Sequence, residues 1–554
     1  MKKINRRDFL KYGFHGSALA MSPLNIIANL ILSGAHNRSY AAEGQSPRYF
    51  LIHQPYAPSR WMFDLLLNPF GDPNFKANRQ MGTALNLAGA DQRYSSAQYK
   101  LERQGGIDVP PIWGFNLPTS TTGSTRKLAA LIPNMLHLRG IDTKNPSHEI
   151  SKDYLFAPVG ATKTVSALAS ETSSDPIPGV ALHPQLIANR VNTYNFKSSS
   201  GASGVILNDQ NYIKQLTDAF SWPEKSAPKG TEFEKATGAL QQELAKFQAD
   251  IDKELSSGNP QYNLVLGSRR DMRTLLSSGF GDPVEAWNRL LAKYRQIIRA
   301  TLSGKSFPGI NDQKVGAAPG AGRQVTHLLN NMIPDESDLR TILDPDSVVV
   351  RGMAELFAAA EYIFVNNLSS SVVGNHEHII GITNSKYPVL DPDQHFWGSV
   401  TTTYFNTMMF SALGACLLEF VETLKSKGLF DSSLIEIASE FNRTPKAADG
   451  GADHGFEGAS SIMFSGAIKG PIIIGNIQQE DTAGNYAGST WGKGAPNAEL
   501  GGSPLSPSQR ASTIASFFGV PSPTASARST IKKERDGKIV AATNVQPGRI
   551  VSQG

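Results

Sequence analysis

The sequence predicts an α/β protein with a doubly wound, mainly parallel sheet, a helical insertion and long Gly/Ser-rich loops. Short apolar runs that end near Gly or Pro recur along the chain, as expected of buried strands. Segments with apolar residues at helical spacing separate several of these runs. The 554 residues are 40% hydrophobic and 18% charged, with 50 Gly and 33 Pro, which excludes a coiled coil and favours a loop-rich globular protein with a sizeable core.

Six apolar runs are predicted strands. The first, Arg48–His53, is followed by Gln54-Pro55, and the second, Asn134–Gly140, ends at a glycine. The later four are Ser370–Val373, Leu434–Ser439, Ser461–Ser465 and Pro471–Gly475. Strands and helices alternate in this part of the chain, which predicts a mainly parallel sheet covered by helices on both faces. Active sites of such sheets lie at the carboxyl ends of the strands.

Four segments have the apolar spacing of helices. Two of them lie in residues 208–312, which we interpret as a helical insertion; their stripes are Phe233, Ala236, Leu240, Leu244, Phe247, Ile251 and Leu255, and Trp287, Leu290, Tyr294, Ile298 and Thr301. The other two are Met353–Asn367 and a helix through Phe405–Leu424 that ends at Gly428. Cys416, the single cysteine, lies in this last helix, which predicts a buried, inert thiol and no internal disulfide.

The first 41 residues are predicted to be a twin-arginine export signal. Arg6-Arg7 precedes Phe9-Leu10, a weakly apolar stretch follows, and Ser39-Tyr-Ala41 offers small residues for cleavage. The alternative is an ordinary membrane-anchoring helix, which Pro23 and two nearby asparagines disfavour. No later window approaches ~18 uninterrupted apolar residues. We therefore expect a periplasmic or extracellular protein that uses the twin-arginine translocase during export and has no stable membrane span in its mature form.

The charge distribution argues against a nucleic-acid partner. The net charge of the whole chain is +5, and the first 41 residues alone carry +5. Residues 42–554 therefore have a formal net charge of zero, and no basic run remains to attract a polyanion.

Histidines and carboxylates are grouped shortly after the predicted strands. These groups contain His148, the pair His376 and His378, His395, and His454. Each group alone is more typical of a helix cap or a loop hydrogen bond than of a metal ligand. Because the carboxyl ends of parallel strands share one edge of a sheet, four such groups together favour a common site for Zn, Mn or a mixed metal pair.

Several motifs resemble one bacterial family. They are Arg6-Arg-Asp-Phe-Leu10, Leu138-Arg-Gly140 with His148, Glu440-Phe-Asn-Arg-Thr-Pro445, Gly450-Gly-Ala-Asp-His454 and Ala467–Gly475. The chain resembles the twin-arginine-exported family DUF1501, a domain of unknown function that is grouped with the alkaline phosphatase and sulfatase superfamily. The resemblance implies an alkaline phosphatase-like core in two parts, 46–207 and 345–520, around the insertion at 208–312 and before a polar tail at 521–554. It also implies metal-assisted transfer of phosphoryl or sulfuryl groups.

The resemblance implies a site as well. One or two divalent metals (Zn, Mn, or Mg/Ca) would be held by Asp393, His395, Glu440, Asp453 and His454, with His376 and His378 as rivals to the first two. Ser59 is then the candidate nucleophile, or else a loop or cap residue. Arg443 is the candidate clamp for non-bridging oxygens, with Arg60 as the alternative clamp, or else Arg443 is a structural residue of its turn. The substrate would be a small-molecule or polymer ester of phosphate or sulfate.

The loop after the first strand departs from the family pattern. Arg60 replaces the usual His, and Met62 stands where an Asp is expected. A thioether cannot replace a carboxylate on a hard cation. These departures support the alternative hypothesis, a non-catalytic exported binding or assembly protein that retains the alkaline phosphatase-like fold.

Overall fold

The fold is taken from a computed structural model. It describes residues 46–54, 102–104, 107–109, 111–119, 124–145, 147–173, 175, 177–182, 196–198, 204–207, 212, 283–302, 349–350, 352–375, 379–380, 389–390, 399–445, 452–455, 458–475, 494, 496, 502–525 and 527–542. The predicted export signal and the predicted helix at Phe233–Leu255 lie outside the described residues.

The described residues form strands and helices with the following bounds. The strands are β1 Arg48–Gln54, β2 Glu102–Gln104, β3 Ile107–Val109, β4 Asn116–Pro118, β5 Thr125–Lys127, β6 Met135–Ile141, β7 Val180–Leu182, β8 Val205–Leu207, β9 Val349–Val350, β10 Ser371–Asn375, β11 Ile379–Ile380, β12 Val389–Leu390, β13 Ser433–Ser439, β14 Asn442–Pro445, β15 Ala452–Gly455, β16 Ala459–Phe464, β17 Ile472–Ile474, β18 Ile531–Lys533 and β19 Ile539–Ala541. The α-helices are α1 His148–Phe156, α2 Pro283–Leu302, α3 Met353–Val365, α4 Ser399–Ser426 and α5 Pro507–Phe518.

Eight strands form one mixed sheet in the order β17-β6-β16-β13-β1-β10-β7-β8. All of them run parallel except β16, which is antiparallel to both of its neighbours, β13 and β6. The prediction of a mainly parallel sheet is confirmed, and each of the six predicted strands is present in it. Because β1 lies between β13 and β10, the carboxyl ends of these three strands lie side by side.

The direction of β16 follows from the connection that precedes it. After β13 the chain folds into the two-stranded ribbon β14-β15 before it enters β16. A parallel return would need a crossover of a dozen or more residues to the opposite edge. The connection from β13 to β16 instead contains the β14-β15 ribbon, and β16 runs antiparallel beside β13.

Side chains of β1 alternate between two hydrophobic clusters, one on each face of the sheet. Phe50 and Ile52 belong to the larger cluster, which the helices α2, α3 and α4 cover. Tyr49 and Leu51 belong to the second cluster, which contains residues of α1 and α5. Burial on both faces explains why the sheet strands are continuous apolar runs rather than alternating ones.

Helix α2 confirms the helix predicted from the Trp287 stripe, and it packs against α3 and α4. Trp287 and Tyr294 are buried in the larger cluster. Lys293 of α2 donates to both carboxylate oxygens of Glu361 on α3, at 2.8 and 2.7 Å. Cys416 of α4 is fully buried, as predicted, and burial raises the pKa of its thiol well above the ordinary value.

The C-terminal region adds structure within the predicted polar tail at 521–554. Residues 531–533 and 539–541 pair as the hairpin β18-β19. Ile531 and Ile539 are buried in the second hydrophobic cluster, whereas Lys532 and Lys533 are exposed. Two buried isoleucines among charged residues therefore anchor part of a segment whose overall composition is polar. Among the helices that the structure describes, none combines the length and apolar character needed to cross a membrane.

Asp175 and Arg48 lie at the amino end of the central strands. Arg48 begins β1 and donates through Nε to the Phe364 carbonyl at 3.2 Å. Burial raises the pKa of Asp175 to about 6, although the nearby positive charge of Arg48 and hydrogen bonds from Ser46 and Ser173 oppose this rise. The carboxyl group therefore retains its proton in the folded state at a pH where it has lost it in the unfolded chain.

We expect this raised pKa to make folding stability depend on pH. Between pH ~4 and ~6 the folded state binds a proton at Asp175 that the unfolded state has released, so the contribution of Asp175 to stability is lost as pH rises through this window. The loss amounts to at most about 3 kcal/mol, because one pKa unit corresponds to about 1.4 kcal/mol. In urea unfolding, the free energy of unfolding of Asp175→Asn minus that of wild type should be larger at pH 7 than at pH 4. The exposed Asp431→Asn is the control, and a pH-independent difference between Asp175→Asn and wild type would contradict the prediction.

Candidate functional site

The carboxyl ends of β1, β10 and β13 meet at the middle of the sheet. His53 near the end of β1 is in register with Ala438 of β13 and with Asn375 of β10. Glu440 follows β13 directly. In a doubly wound sheet this edge is where ligands bind.

Three side chains from distant parts of the sequence converge at this edge. His53 Nε2 lies 3.0 Å from Glu440 Oε2, and His148 Nδ1 lies 2.7 Å from Glu440 Oε1. The side chains of His53 and Glu440 are 4% and 3% exposed, and that of His148 is 17% exposed. We call His53, His148 and Glu440 the His-Glu-His cluster.

The alternation of side chains along the strands explains this convergence. Tyr49 and Leu51 of β1 face the second hydrophobic cluster, so His53, two residues further on, faces the same side. Ala438 of β13 also belongs to that cluster, and Glu440 follows it by two residues. Helix α1 begins at His148 and lies on this face after the chain leaves β6.

Aromatic side chains border the cluster. The rings of His53 and Phe156 lie 6.0 Å apart, and those of His148 and Phe441 lie 4.7 Å apart. His148 is the first residue of α1 and Phe156 is the last. One helix therefore contributes both an imidazole of the cluster and an apolar ring beside it.

The electrostatics of the cluster keep Glu440 ionised. Burial alone would raise the pKa of this carboxyl group, but hydrogen bonds with His148 and His53 outweigh burial, and the pKa of Glu440 lies well below its usual range. An ionised carboxylate only accepts hydrogen bonds. Both imidazoles therefore donate to it, His53 through Nε2–H and His148 through Nδ1–H.

A second buried group lies beneath the cluster on the same face. Arg510 of α5 donates to both oxygens of Glu436, through Nε at 2.6 Å and Nη2 at 2.7 Å. Tyr49 donates to Glu436 Oε2 at 2.5 Å, and Ser461 donates to Oε1. A recess lies between this group and the His-Glu-His cluster, and its lining includes Glu440 and Arg510. The arginine thus ties α5 to the strands that carry the cluster.

The structure places four of the sequence-predicted site residues at this edge. Glu440 is in the cluster, and Arg443, Asp453 and His454 lie on the β14-β15 ribbon that begins two residues later. In the register of that ribbon, Arg443 is opposite His454 and Thr444 is opposite Asp453. The remaining predicted residues, Ser59, Asp393 and His395, lie outside the described residues, as do His376 and His378.

The grouping of histidines and carboxylates in the sequence does not predict His53 as a candidate site residue. Those groups lie in the loops after strands, whereas His53 lies within a buried apolar strand. A histidine next to the end of the first strand, just before Gln54-Pro55, was the signal that could have pointed to it. His148 was noted in its group but was not assigned to the site.

Within the part of the chain that the structure describes, no group of three or more His, Cys, Asp or Glu side chains is arranged to hold a metal ion. In the His-Glu-His cluster the two imidazoles address different oxygens of one carboxylate, so the three side chains do not point at a common centre.

One protein family matches a segment of the chain that includes residues at the carboxyl edge of the sheet. Residues 402–487 match the family model of DUF1501, described as a protein of unknown function. The DUF1501 match spans β13, the β14-β15 ribbon, β16 and β17, and so contains Glu440, Arg443, Asp453 and His454. It supports the resemblance to DUF1501 inferred from the sequence. No curated protein and no solved structure matches the chain.

Proposed function

We propose that the protein is an exported, metal-dependent hydrolase that acts on phosphate or sulfate esters at the carboxyl edge of its sheet. The observation that carries this proposal is that His53 and His148 contact the two oxygens of the buried Glu440 carboxylate at that edge, although the three residues are separated by 95 to 387 positions in the chain. Buried histidine and carboxylate groups at a strand edge are typical of catalytic sites. The fold would be the alkaline phosphatase-like version of the doubly wound sheet.

The residues at this edge have the chemistry that a divalent metal requires. Imidazole nitrogen and carboxylate oxygen are ligands for Zn and Mn. Among the described residues, His53 Nδ1 is buried and has no hydrogen-bond partner. By resemblance, the metal would be held by Asp393, His395, Asp453 and His454, with Glu440 as a further candidate ligand. When bound, such a metal lowers the pKa of a hydroxyl or water and screens the charge of the transferring group.

The chain's own residues would position the ester. Arg443, three residues after Glu440, is the proposed clamp, because a guanidinium can bind two non-bridging oxygens of a phosphate or sulfate. Ser59 is proposed as the nucleophile because it follows β1, the strand that carries His53. The Glu440 carboxylate holds the two imidazoles in place for proton transfer at the site.

Export by the twin-arginine route belongs to the same proposal. Arg6-Arg7 and the weakly apolar segment after it support passage through the twin-arginine translocase to the periplasm or the extracellular space. The zero net charge of residues 42–554 supports an ester substrate of low molecular weight or a polymer other than nucleic acid.

The proposal is tested by metal content and ester hydrolysis of the protein purified after export. We expect stoichiometric Zn or Mn, and hydrolysis of aryl phosphate or aryl sulfate that is lost in Asp453→Ala and in Ser59→Ala. Asp536→Ala, at an exposed turn of the C-terminal hairpin, is the control and should retain full activity. A folded protein that binds no metal, or that hydrolyses neither ester, would overturn the proposal in favour of a non-catalytic exported binding protein.

A further inference from the structure

We infer that Glu440 is a positioning residue rather than a metal ligand, and that it orients His53 so that His53 Nδ1 and Asn375 bind a divalent cation at the ends of β1 and β10. The inference rests on the proposed function only in assuming a cation at this edge of the sheet. It changes the role that the sequence predicts for Glu440, and it adds two residues that the sequence did not assign.

Both oxygens of Glu440 are already engaged. Each accepts a hydrogen bond from one imidazole, at 3.0 Å from His53 and at 2.7 Å from His148. Direct binding of a metal by Glu440 would displace one of these imidazoles from a carboxylate that is 3% exposed. If both hydrogen bonds are kept, Glu440 contacts the two imidazoles and not the metal, and it sets the orientation of the imidazoles.

The hydrogen bond to Glu440 determines which nitrogen of His53 is available. Since Nε2 donates to the carboxylate, Nδ1 of a neutral imidazole carries a lone pair. Metal-binding histidines in proteins usually donate their other ring N–H to a carboxylate or carbonyl, which fixes the tautomer and increases the basicity of the ligand nitrogen. The Glu440–His53 pair has this arrangement.

Two atoms at adjacent strand ends are available to bind a ligand. His53 Nδ1 and Asn375 Oδ1 are both buried, and neither has a hydrogen-bond partner in the described part of the chain. The two residues are in register on neighbouring parallel strands, so their side chains lie on the same face of the sheet. Buried polar atoms are almost always paired, and two unpaired ones side by side are therefore informative.

The chemistry of this pair favours a divalent cation. An imidazole nitrogen and an amide oxygen are both lone-pair donors, and a cation satisfies both at once, whereas an anion is repelled by the oxygen and by the ionised Glu440 nearby. His148 binds the second oxygen of Glu440 and thereby fixes the plane of the carboxylate that orients His53.

The inference is tested by titrating metal-free, full-length protein with Zn²⁺ in a calorimeter. We expect His53→Ala to abolish measurable binding, and Glu440→Gln to weaken it by about 10- to 100-fold without changing the stoichiometry, as is typical for residues behind metal ligands. His53→Gln, which retains an N–H donor for Glu440, should fold like wild type and still lose binding. Glu534→Gln, at an exposed position, is the matched control for Glu440→Gln.

NMR of protein labelled with ¹⁵N-histidine gives a second readout that does not depend on activity. Metal-free wild type should show His53 protonated at Nε2 and His148 protonated at Nδ1, and Zn²⁺ should shift the Nδ1 resonance of His53. Unchanged Zn²⁺ affinity in His53→Ala, or a loss in Glu440→Gln as large as that in His53→Ala, would overturn the inference.

The outcomes separate this inference from the proposed function. Binding that depends on His53 in a protein that hydrolyses no ester supports the cation site and contradicts the hydrolase proposal. Ester hydrolysis with Zn²⁺ binding that is indifferent to His53 contradicts the cation site and supports the hydrolase proposal. Wild-type protein that binds no Zn²⁺ contradicts both.

Discussion

Replacing Glu436 by Ala is expected to lower the free energy of unfolding by about 3–5 kcal/mol, the typical cost of removing one partner of a buried ion pair. Arg510 is 1% exposed and donates twice to Glu436, which is fully buried. In the variant, the arginine keeps its charge in an apolar interior, and Tyr49 loses the acceptor of its hydroxyl proton. Denaturant unfolding of wild type and variant measures the difference.

An exposed ion pair provides the matched control. Glu285 and Arg289 lie one helical turn apart on α2, with side chains 67% and 64% exposed. Removing that pair with Glu285→Ala should cost no more than about 0.5 kcal/mol. The double variant Glu436→Leu/Arg510→Met should lose less than Glu436→Ala, because no unpaired buried charge remains. Equal losses in Glu436→Ala and Glu285→Ala would contradict the assignment of this effect to burial.

Much of the sheet could be predicted because its strands are buried on both faces. Continuous apolar runs such as Arg48–His53 and Leu434–Ser439 predict buried strands without any knowledge of their neighbours. The antiparallel direction of β16 could not be predicted in this way, since an apolar run has no direction. The short strands β7 and β8 were missed because three residues provide too little pattern.

The candidate site was only partly predictable for a different reason. Glu440, Asp453 and His454 lie in a local sequence pattern with turn residues around them, so the sequence alone proposes them as candidates. The contact between His53 and Glu440 joins residues 387 apart and depends on β1 lying beside β13. That neighbour relation depends on the sheet order, which the apolar pattern of the sequence does not reveal.

The reason that Glu440 was assigned as a ligand is also specific. By residue type, a carboxylate after a strand can bind a metal. The surrounding atoms decide whether it binds the metal directly or instead hydrogen-bonds a side chain that binds the metal. His53 and His148 occupy its two oxygens, and neither partner lies near Glu440 in the sequence. Residue type therefore makes Glu440 a candidate ligand, and its contacts with His53 and His148 support the proposed positioning role.

Phe50→Ala is expected to reduce the free energy of unfolding by about 3–5 kcal/mol, because it leaves a cavity at the centre of the larger hydrophobic cluster. Phe50 is fully buried, and its ring lies 5.6 Å from that of Phe357 on α3 and 5.2 Å from that of Phe420 on α4. It thus joins both helices to β1. Thermal and urea unfolding of the variant measure the loss.

The conservative Phe50→Leu is the control for this prediction. The leucine side chain fills most of the space of the ring. The variant loses mainly the edge-to-face ring contacts, and each ring pair contributes about 0.5–1.5 kcal/mol. Phe50 faces the opposite side of the sheet from His53, so folded Phe50→Ala should keep the His53–Glu440 contact and its imidazole NMR signature. A variant that remains as stable as wild type would contradict the central role of this ring, and an altered His53 signature in the folded variant would show that the two faces of β1 are coupled.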